Sequence, residues 1–261
     1  MTTKPGASKA ALMERAHREM NEVIADASLS AQQKLALTCR ILFDQGHDSG
    51  LAGQITFRSV TGRFYTQALG LGFDEVTRDN LLEVDEDLRV HSGTGMANPA
   101  NRFHAWIYRA RPDVNCIIHT HPLHVAALSM IGAPLIISQM DLCPLYDDCA
   151  YLAEWPGVPV GNEEGQIIAG ALGKKKAILL AHHGQLVAGR SIEEACVLAV
   201  LIERAARLQL LAAGAGTIRP IPAHLAIEAR EWITTDKRYA ASFAYYARQS
   251  LKKHRDLGVS L

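Results

Sequence analysis

The sequence predicts an α/β fold, and three patterns carry that prediction. Residues 114–119 and 177–180 are apolar runs with the length of buried strands. Residues 101–111 and 192–213 carry their apolar side chains at helical spacing. Between residues 54 and 90, short alternating segments are separated by turns at Thr61-Gly62 and Asp85-Glu86-Asp87, a hairpin signal. No internal repeat and no linker interrupts this order, so one domain with a C-terminal helical appendage is expected.

Composition narrows the function. Of 261 residues, 48% are hydrophobic and 21% charged, ordinary for a soluble globular protein. Lys+Arg and Asp+Glu number 27 each, so no global charge favours nucleic acid or an anionic membrane. No apolar run reaches the ~18 residues of a membrane span. The polar start Met1-Thr2-Thr3-Lys4-Pro5-Gly6 has no signal-peptide core behind it. Cys39, Cys116, Cys143, Cys149 and Cys196 are odd in number and sit mostly in apolar runs. They read as reduced thiols of a cytoplasmic protein. Cys143 and Cys149 flank a polar loop and are expected to be the exposed pair.

The elements follow in order. Residues 1–10 read as disordered and 10–28 as a charged surface helix. Ser30-Ala31-Gln32-Gln33 is a capping box that opens a second helix, ending at Gly46. The Gly-punctuated turn 48–53 leads into a strand at 54–58, and further strands fall at 63–67, 82–84 and 89–90. The helix 101–111 is stopped by Pro112-Asp113. The central strand 114–119 is followed by a helix at 123–131 and a strand at 134–139. Residues 151–165 read as a loop, 165–173 as a short helix and 177–180 as a buried strand. Ser191 caps the longest helix, 192–213, with Glu193 and Glu194 in its first turn. Residues 223–255 are helical. The main domain is therefore placed at 11–215 and the appendage at 216–261.

Chemistry concentrates at two strand ends. Cys116-Ile117-Ile118-His119-Thr120-His121 puts two imidazoles on one face of a strand, because side chains two apart point the same way. Ala181-His182-His183-Gly184 ends a second strand. If the ends are adjacent, three imidazoles converge, leaving open positions on a divalent ion as in a catalytic site. His183, beside Gly184 where the backbone turns, is favoured as the third ligand, and His182 as a packing or supporting residue. Cys116, three before His119, points to the other face. His104 and His124 lie near these segments, as buried or helix-end residues or as substrate contacts. His47 reads as a loop residue. The turn Ser49-Gly50-Leu51-Ala52-Gly53-Gln54 offers backbone N–H groups to an anion, or simply connects helix to strand with unusual backbone angles.

The chain resembles the class II aldolase/adducin family over roughly residues 30–215. The motifs are Gly50-Leu51-Ala52-Gly53-Gln54-Ile55-Thr56-Phe57-Arg58, the run from Phe103-His104-Ala105-Trp106 through Arg111-Pro112-Asp113-Val114 to His119-Thr120-His121, and His183-Gly184. Together they are specific. The resemblance implies a three-layer αβα sandwich around a mixed, mostly antiparallel sheet. It implies a divalent metal on His119, His121 and His183. It also implies a homotetramer with active sites at subunit interfaces, to which a neighbour's C-terminal region contributes.

One departure is informative. The family's sugar-phosphate aldolases carry Ser-Ser-Glu where this chain has Asn98-Pro99-Ala100. The acid/base carboxylate and two phosphate-holding hydroxyls are therefore missing, which disfavours that reaction. The chain looks most like the aldolase-fold non-haem iron oxygenases that oxidatively decarboxylate prenylated 4-hydroxyphenylpyruvate, where O2 activation replaces proton abstraction. The resemblance then implies Fe(II), O2 and an aryl 2-oxo or 2-hydroxy acid. The alternative is a redox-neutral Zn(II) or Mn(II) decarboxylase or an aldolase on a non-phosphorylated substrate. An adducin-like scaffold is disfavoured because all three histidines are kept. Arg102, His104 and Gln139 are the expected catalytic residues. Gly53, Gln54, Asn98, His124, Asp141 and Tyr239 are the expected substrate contacts. Phe57, Trp106, Tyr146 and the tyrosines at 239, 245 and 246 are the candidates for an aryl wall.

Overall fold

The computed structural model describes residues 6–23 and 29–254. The expected disorder at the start lies partly outside them, and a helix already begins at Lys9. Sixteen elements are described in chain order: α1 (Lys9–Val23), α2 (Ala31–Asp44), β1 (Gln54–Arg58), β2 (Phe64–Gln67), β3 (Leu81–Val84), β4 (Val90–Ser92), α3 (Asn101–Ala110), β5 (Cys116–Thr120), α4 (Leu123–Met130), β6 (Cys149–Leu152), α5 (Asn162–Leu172), β7 (Ala177–Leu180), β8 (Gln185–Gly189), α6 (Ile192–Ala215), α7 (Ala223–Ile233) and α8 (Asp236–Lys253). The strands form one sheet in the order β4-β3-β2-β1-β5-β8-β7-β6. Every pairing is antiparallel except β6 with β7.

Pleat parity divides the core into two layers. Along β7, Ala177 and Leu179 face one layer, and Ile178 and Leu180 the other. The first layer holds α2, α4, α6 and α8, with Leu42, Ile118, Ile202 and Phe243 buried in it. The second holds α3 and α5, with Phe103, Ile117, Ile168 and Leu186. Strands buried on both faces read as continuous apolar runs. The result is the three-layer αβα sandwich around a mostly antiparallel sheet.

Local signals set the helix starts. Ser30 Oγ accepts from Gln33 N at 3.2 Å while Gln33 Oε1 accepts from Ser30 N at 2.8 Å, a complete capping box. Ser191 Oγ accepts from Glu194 N at 3.1 Å and opens α6. The C-terminal stretch is two helices, because Thr235 stops the run and caps α8 with its side chain. Phe243 and Ala247 of α8 are buried in the first layer, so this helix is part of the core.

Four expectations are corrected. Residues 134–139 form no strand: Pro134 O and Ile136 N are both held by the Gln209 side chain of α6, at 2.9 and 2.7 Å, so the segment runs along a helix. The loop expected from residue 151 overlaps β6, a short edge strand pairing with β7, and α5 starts at Asn162. Cys143 is buried and Cys149 half-buried, so neither is exposed. His182 is exposed in the left-handed region, with φ 57°, and supports no core.

Helices α3 and α5 meet at a close approach. A Cβ on Gly165 would collide with the indole of Trp106. Gly165→Ala should therefore lower stability, although alanine gains about 1 kcal/mol in a helix over glycine. Overpacking costs roughly 1–3 kcal/mol, so a lower urea midpoint is expected, and a higher one would contradict this packing.

Candidate metal centre

The site is built from the middle of the sheet. β5 lies between β1 and β8, and His119 sits opposite Gln54 on one side and Leu186 on the other. Parity turns Ile117, His119 and His121 toward the α3/α5 layer, and Cys116, Ile118 and Thr120 the other way. His183 comes from the β7–β8 turn, where Leu180 N donates to Gly184 O at 2.8 Å and His183 N to Leu180 O at 3.2 Å. The three rings stand 4.7, 4.7 and 4.6 Å apart, centroid to centroid. One nitrogen from each lies within 4.8 Å of the others, and among the described residues no carboxylate or thiolate joins the group.

The ring orientations suit metal binding. His119 Nδ1 donates to the carbonyl of Gln185 at 2.8 Å, so its Nε2 carries the free lone pair. That Nε2 stands 2.9 Å from Nε2 of His121, two ring nitrogens aimed at one point. Burial holds His119 well below the usual imidazole range, helped by the charges of His121 and His183. Burial also lowers His121, and with the charge of His121 it lowers His183 to about 4. Neutral imidazoles are what a divalent cation needs. Gly184 makes the turn possible: a Cβ there would meet His121 Cδ2 and Thr120 O, each at 2.5 Å. Gly53, with φ 107°, lets β1 start where a Cβ would already stand 3.0 Å from His119 O. The residues present therefore fit a three-histidine metal.

Behind the strand, Thr120 Oγ1 lies 2.9 Å from His47 Nδ1 and accepts from Gln185 Nε2 at 3.1 Å. His47 is thus a buried support of the ligand strand and not a loop residue; burial pushes it down to about 3. Its position after Gly46 carried no signal of this, and the Gln185 carbonyl is a backbone group that no side-chain pattern shows. Phe103, edge-on to His119 at 5.1 Å, is the aromatic ring against the trio.

Other expected residues fall in several places. Gln54 is buried on the face of His119, with Oε1 lacking a partner. His104 is buried under α3, its Nδ1 2.8 Å from Thr56 Oγ1. Arg102 is half-buried near the start of α3. Ala100 sits at that helix's first turn, and Asn98 Oδ1 accepts from Ala100 N at 3.0 Å, so Asn98 shapes the turn. His124 Nδ1 meets Glu203 Oε1 at 2.5 Å and lines a separate cleft with Asp44, Arg204 and Arg207. Gln139 and Asp141 are exposed and bonded to each other at 2.8 and 3.0 Å, on a 3-10 helix (Met140–Leu145) packed on α6 and α7. Tyr239 is buried in the first layer, so it is not free to reach another pocket. Phe57 cannot wall the site, because parity turns it to the layer opposite His119. Trp106 packs on α5.

The chain is similar to several known proteins. A family model described as Class II Aldolase and Adducin N-terminal domain matches residues 33–210. A 4-hydroxy-3-prenylphenylpyruvate oxygenase/4-hydroxy-3-prenylbenzoate synthase of Streptomyces roseochromogenus is 34% identical over 191 residues, 72% of this chain and 68% of that protein. Decarboxylase NovR of Streptomyces niveus is also 34% identical over 191 residues, 72% of this chain and 70% of its own length. Among solved structures, an L-fuculose 1-phosphate aldolase from Glaciozyma antarctica superposes with a TM-score of 0.80 at 28% identity, covering 98% of this chain and 97% of that one.

Two outcomes follow from the geometry. His183→Ala should weaken Zn(II) binding by more than about 100-fold, and Gly184→Ala by roughly 10–100-fold, the range for disturbing a ligand's support. Titration against a chelating indicator checks both, and unchanged affinity in His183→Ala would exclude the site. Buried neutral His47 and His104, each pushed down to about 3 from 6.5, fix a pH dependence. The unfolded chain takes up these protons first, so stability is full above pH 6.5 and falls from there toward pH 3. Urea midpoints at pH 7.5 and 5 should show the fall, and it should be shallower in His47→Asn.

Proposed function

The chain belongs to the class II aldolase and adducin family, and from that premise we propose an Fe(II)-dependent oxygenase that oxidatively decarboxylates an aryl 2-oxo or 2-hydroxy acid. The carrying observation is a three-histidine group with no carboxylate beside it among the described residues, Ala100 standing where the family's acid/base would be. Aldol cleavage needs a proton acceptor of tuned pKa at that point. Oxidation does not: an arylpyruvate and O2 balance as an arylmandelate and CO2, so the substrate supplies all the electrons and 2-oxoglutarate is not required. The names of the two similar Streptomyces proteins, an oxygenase and a decarboxylase, support this class of substrate.

A ferrous ion on the trio would chelate the 2-oxo or 2-hydroxy acid and bring O2 to it. The chain's own residues bind and orient. The side chain of Arg102 makes no hydrogen bond or ion pair among the described residues, which leaves its guanidinium for the substrate carboxylate. Phe103, fully buried and edge-on to His119, excludes water from that side of the ring. Asn98 and Pro99 hold the start of α3 in place. We also expect a homotetramer with active sites at subunit interfaces.

The second reading is redox-neutral decarboxylation with Zn(II) or Mn(II), favoured by the same missing carboxylate. Anaerobically purified protein separates the two. With Fe(II) and an arylpyruvate panel, one O2 consumed per CO2 released is the expected result, with no effect of 2-oxoglutarate. Turnover without O2 on Zn(II) or Mn(II) would instead establish the second reading.

A further inference from the structure

His104 is fully buried, and its Nε2 has no hydrogen-bond partner among the described residues. Proton counting around it fixes its tautomer. Tyr108 Oη lies 3.0 Å from Thr56 Oγ1, 3.0 Å from Thr56 O and 3.3 Å from Asn115 O. The two carbonyls only accept, so the phenol proton goes to one of them. The phenol oxygen then accepts the Thr56 hydroxyl proton. Thr56 Oγ1 has only lone pairs left for His104, so Nδ1 carries the hydrogen at 2.8 Å. These four contacts then hold three protons; the reverse tautomer supplies only two and leaves one more contact without a proton. Nε2 is therefore a bare lone pair, and burial, which pushes His104 down to about 3, keeps it neutral.

That lone pair lies on the metal side of the sheet. Thr56 is two residues from Gln54, which faces His119 across the ladder. Phe103 stands against both rings, 4.6 Å from His104 and 5.1 Å from His119. Gln54 Oε1 and Asn101 Oδ1 are further buried oxygens without partners on this face, so acceptors outnumber donors. A buried acceptor left unpaired costs about 1–3 kcal/mol. A ketone or a carboxylate cannot relieve that shortage, whereas an O–H group can.

We propose that His104 is the hydroxyl-recognising residue of the site: its Nε2 accepts from the O–H of a 2-hydroxy acid, or of an enolised 2-oxo acid, held at the three histidines. This rests on the reading that a carboxylic acid binds there. The selection acts on the hydroxyl or enol form and gives Thr56 and Tyr108 a positioning role.

The test uses the full chain loaded with Zn(II), which is diamagnetic, and labelled with 15N-histidine. Before ligand, His104 should show hydrogen on Nδ1 and none on Nε2. Mandelate should move the His104 Nε2 resonance; phenylacetate, which lacks the hydroxyl, should not. His104→Phe should lose about tenfold in mandelate affinity, the scale of one hydrogen bond, with phenylacetate unchanged. Thr56→Val keeps the ring but removes its relay, and should erase the preference if His104→Phe does not fold. Hydrogen on Nε2, or a His104 signal indifferent to mandelate while His121 and His183 respond, overturns the proposal and leaves acid binding intact; the latter result assigns a trapped water to Nε2. If no histidine responds to either acid, the acid-binding reading fails and the proposal with it.

Discussion

The hydrogen bond from His119 Nδ1 to the carbonyl of Gln185 joins fold to chemistry. It crosses from β5 to β8 in the middle of the sheet, where neither strand can shift without breaking ladders on both sides. It sets which nitrogen of His119 faces the trio. The turn carrying His183 is attached to the same β8, so the third ligand is indexed to the first through one residue. On the reverse side, the Gln185 side chain reaches Thr120 and the Ala199 carbonyl of α6. One glutamine thus fixes the ligand strand from both faces, by its backbone on one and its amide on the other.

The burial of so many neutral histidines is the counterpart of this rigidity. His47, His104 and His119 are each nearly inaccessible. Their protonation is opposed by desolvation, so each of these three imidazoles is held neutral. At His119, with His121 and His183, such neutral imidazoles would suit a divalent cation. With no carboxylate in the group among the described residues, a cation held there would be more electrophilic than one with an anionic neighbour. That favours chelation of an anionic oxygen ligand over proton transfer by the protein.

The parts of the fold that were legible in the sequence are those where side-chain period and burial coincide. β5, β7 and α6 are long enough or apolar enough that only one period fits, and both histidine pairs sit at their ends. Parity alone placed His119 and His121 together and Cys116 opposite, as found. Parity also shows that Phe57 was a wrong candidate for the aryl wall, since it is one residue out of phase with Gln54 and Thr56. The segment 134–139 misled because its strand-like side chains pack beside α6 while a glutamine side chain, 70 residues on in sequence, takes up its backbone polar groups. His47 was illegible because its role depends on Thr120, a partner distant in sequence. Tyr239 has the amphipathic character of a site residue, yet the α8 face it occupies is the one that docks into the core.

The position of Ala100 has a wider consequence. The metal ligands belong to β5 and the β7–β8 turn, braced by β1 and α6, whereas residue 100 belongs to the first turn of α3. No ladder hydrogen bond passes between these two units. A contact between them is the packing of Phe103 on His119. On the proposed reading, the residues that would hold a cation and the position that would carry an acid/base therefore sit on separate elements. Ala100 packs against the second core layer, so a carboxylate there would have to be desolvated while the strand and turn that carry the histidines stay as they are.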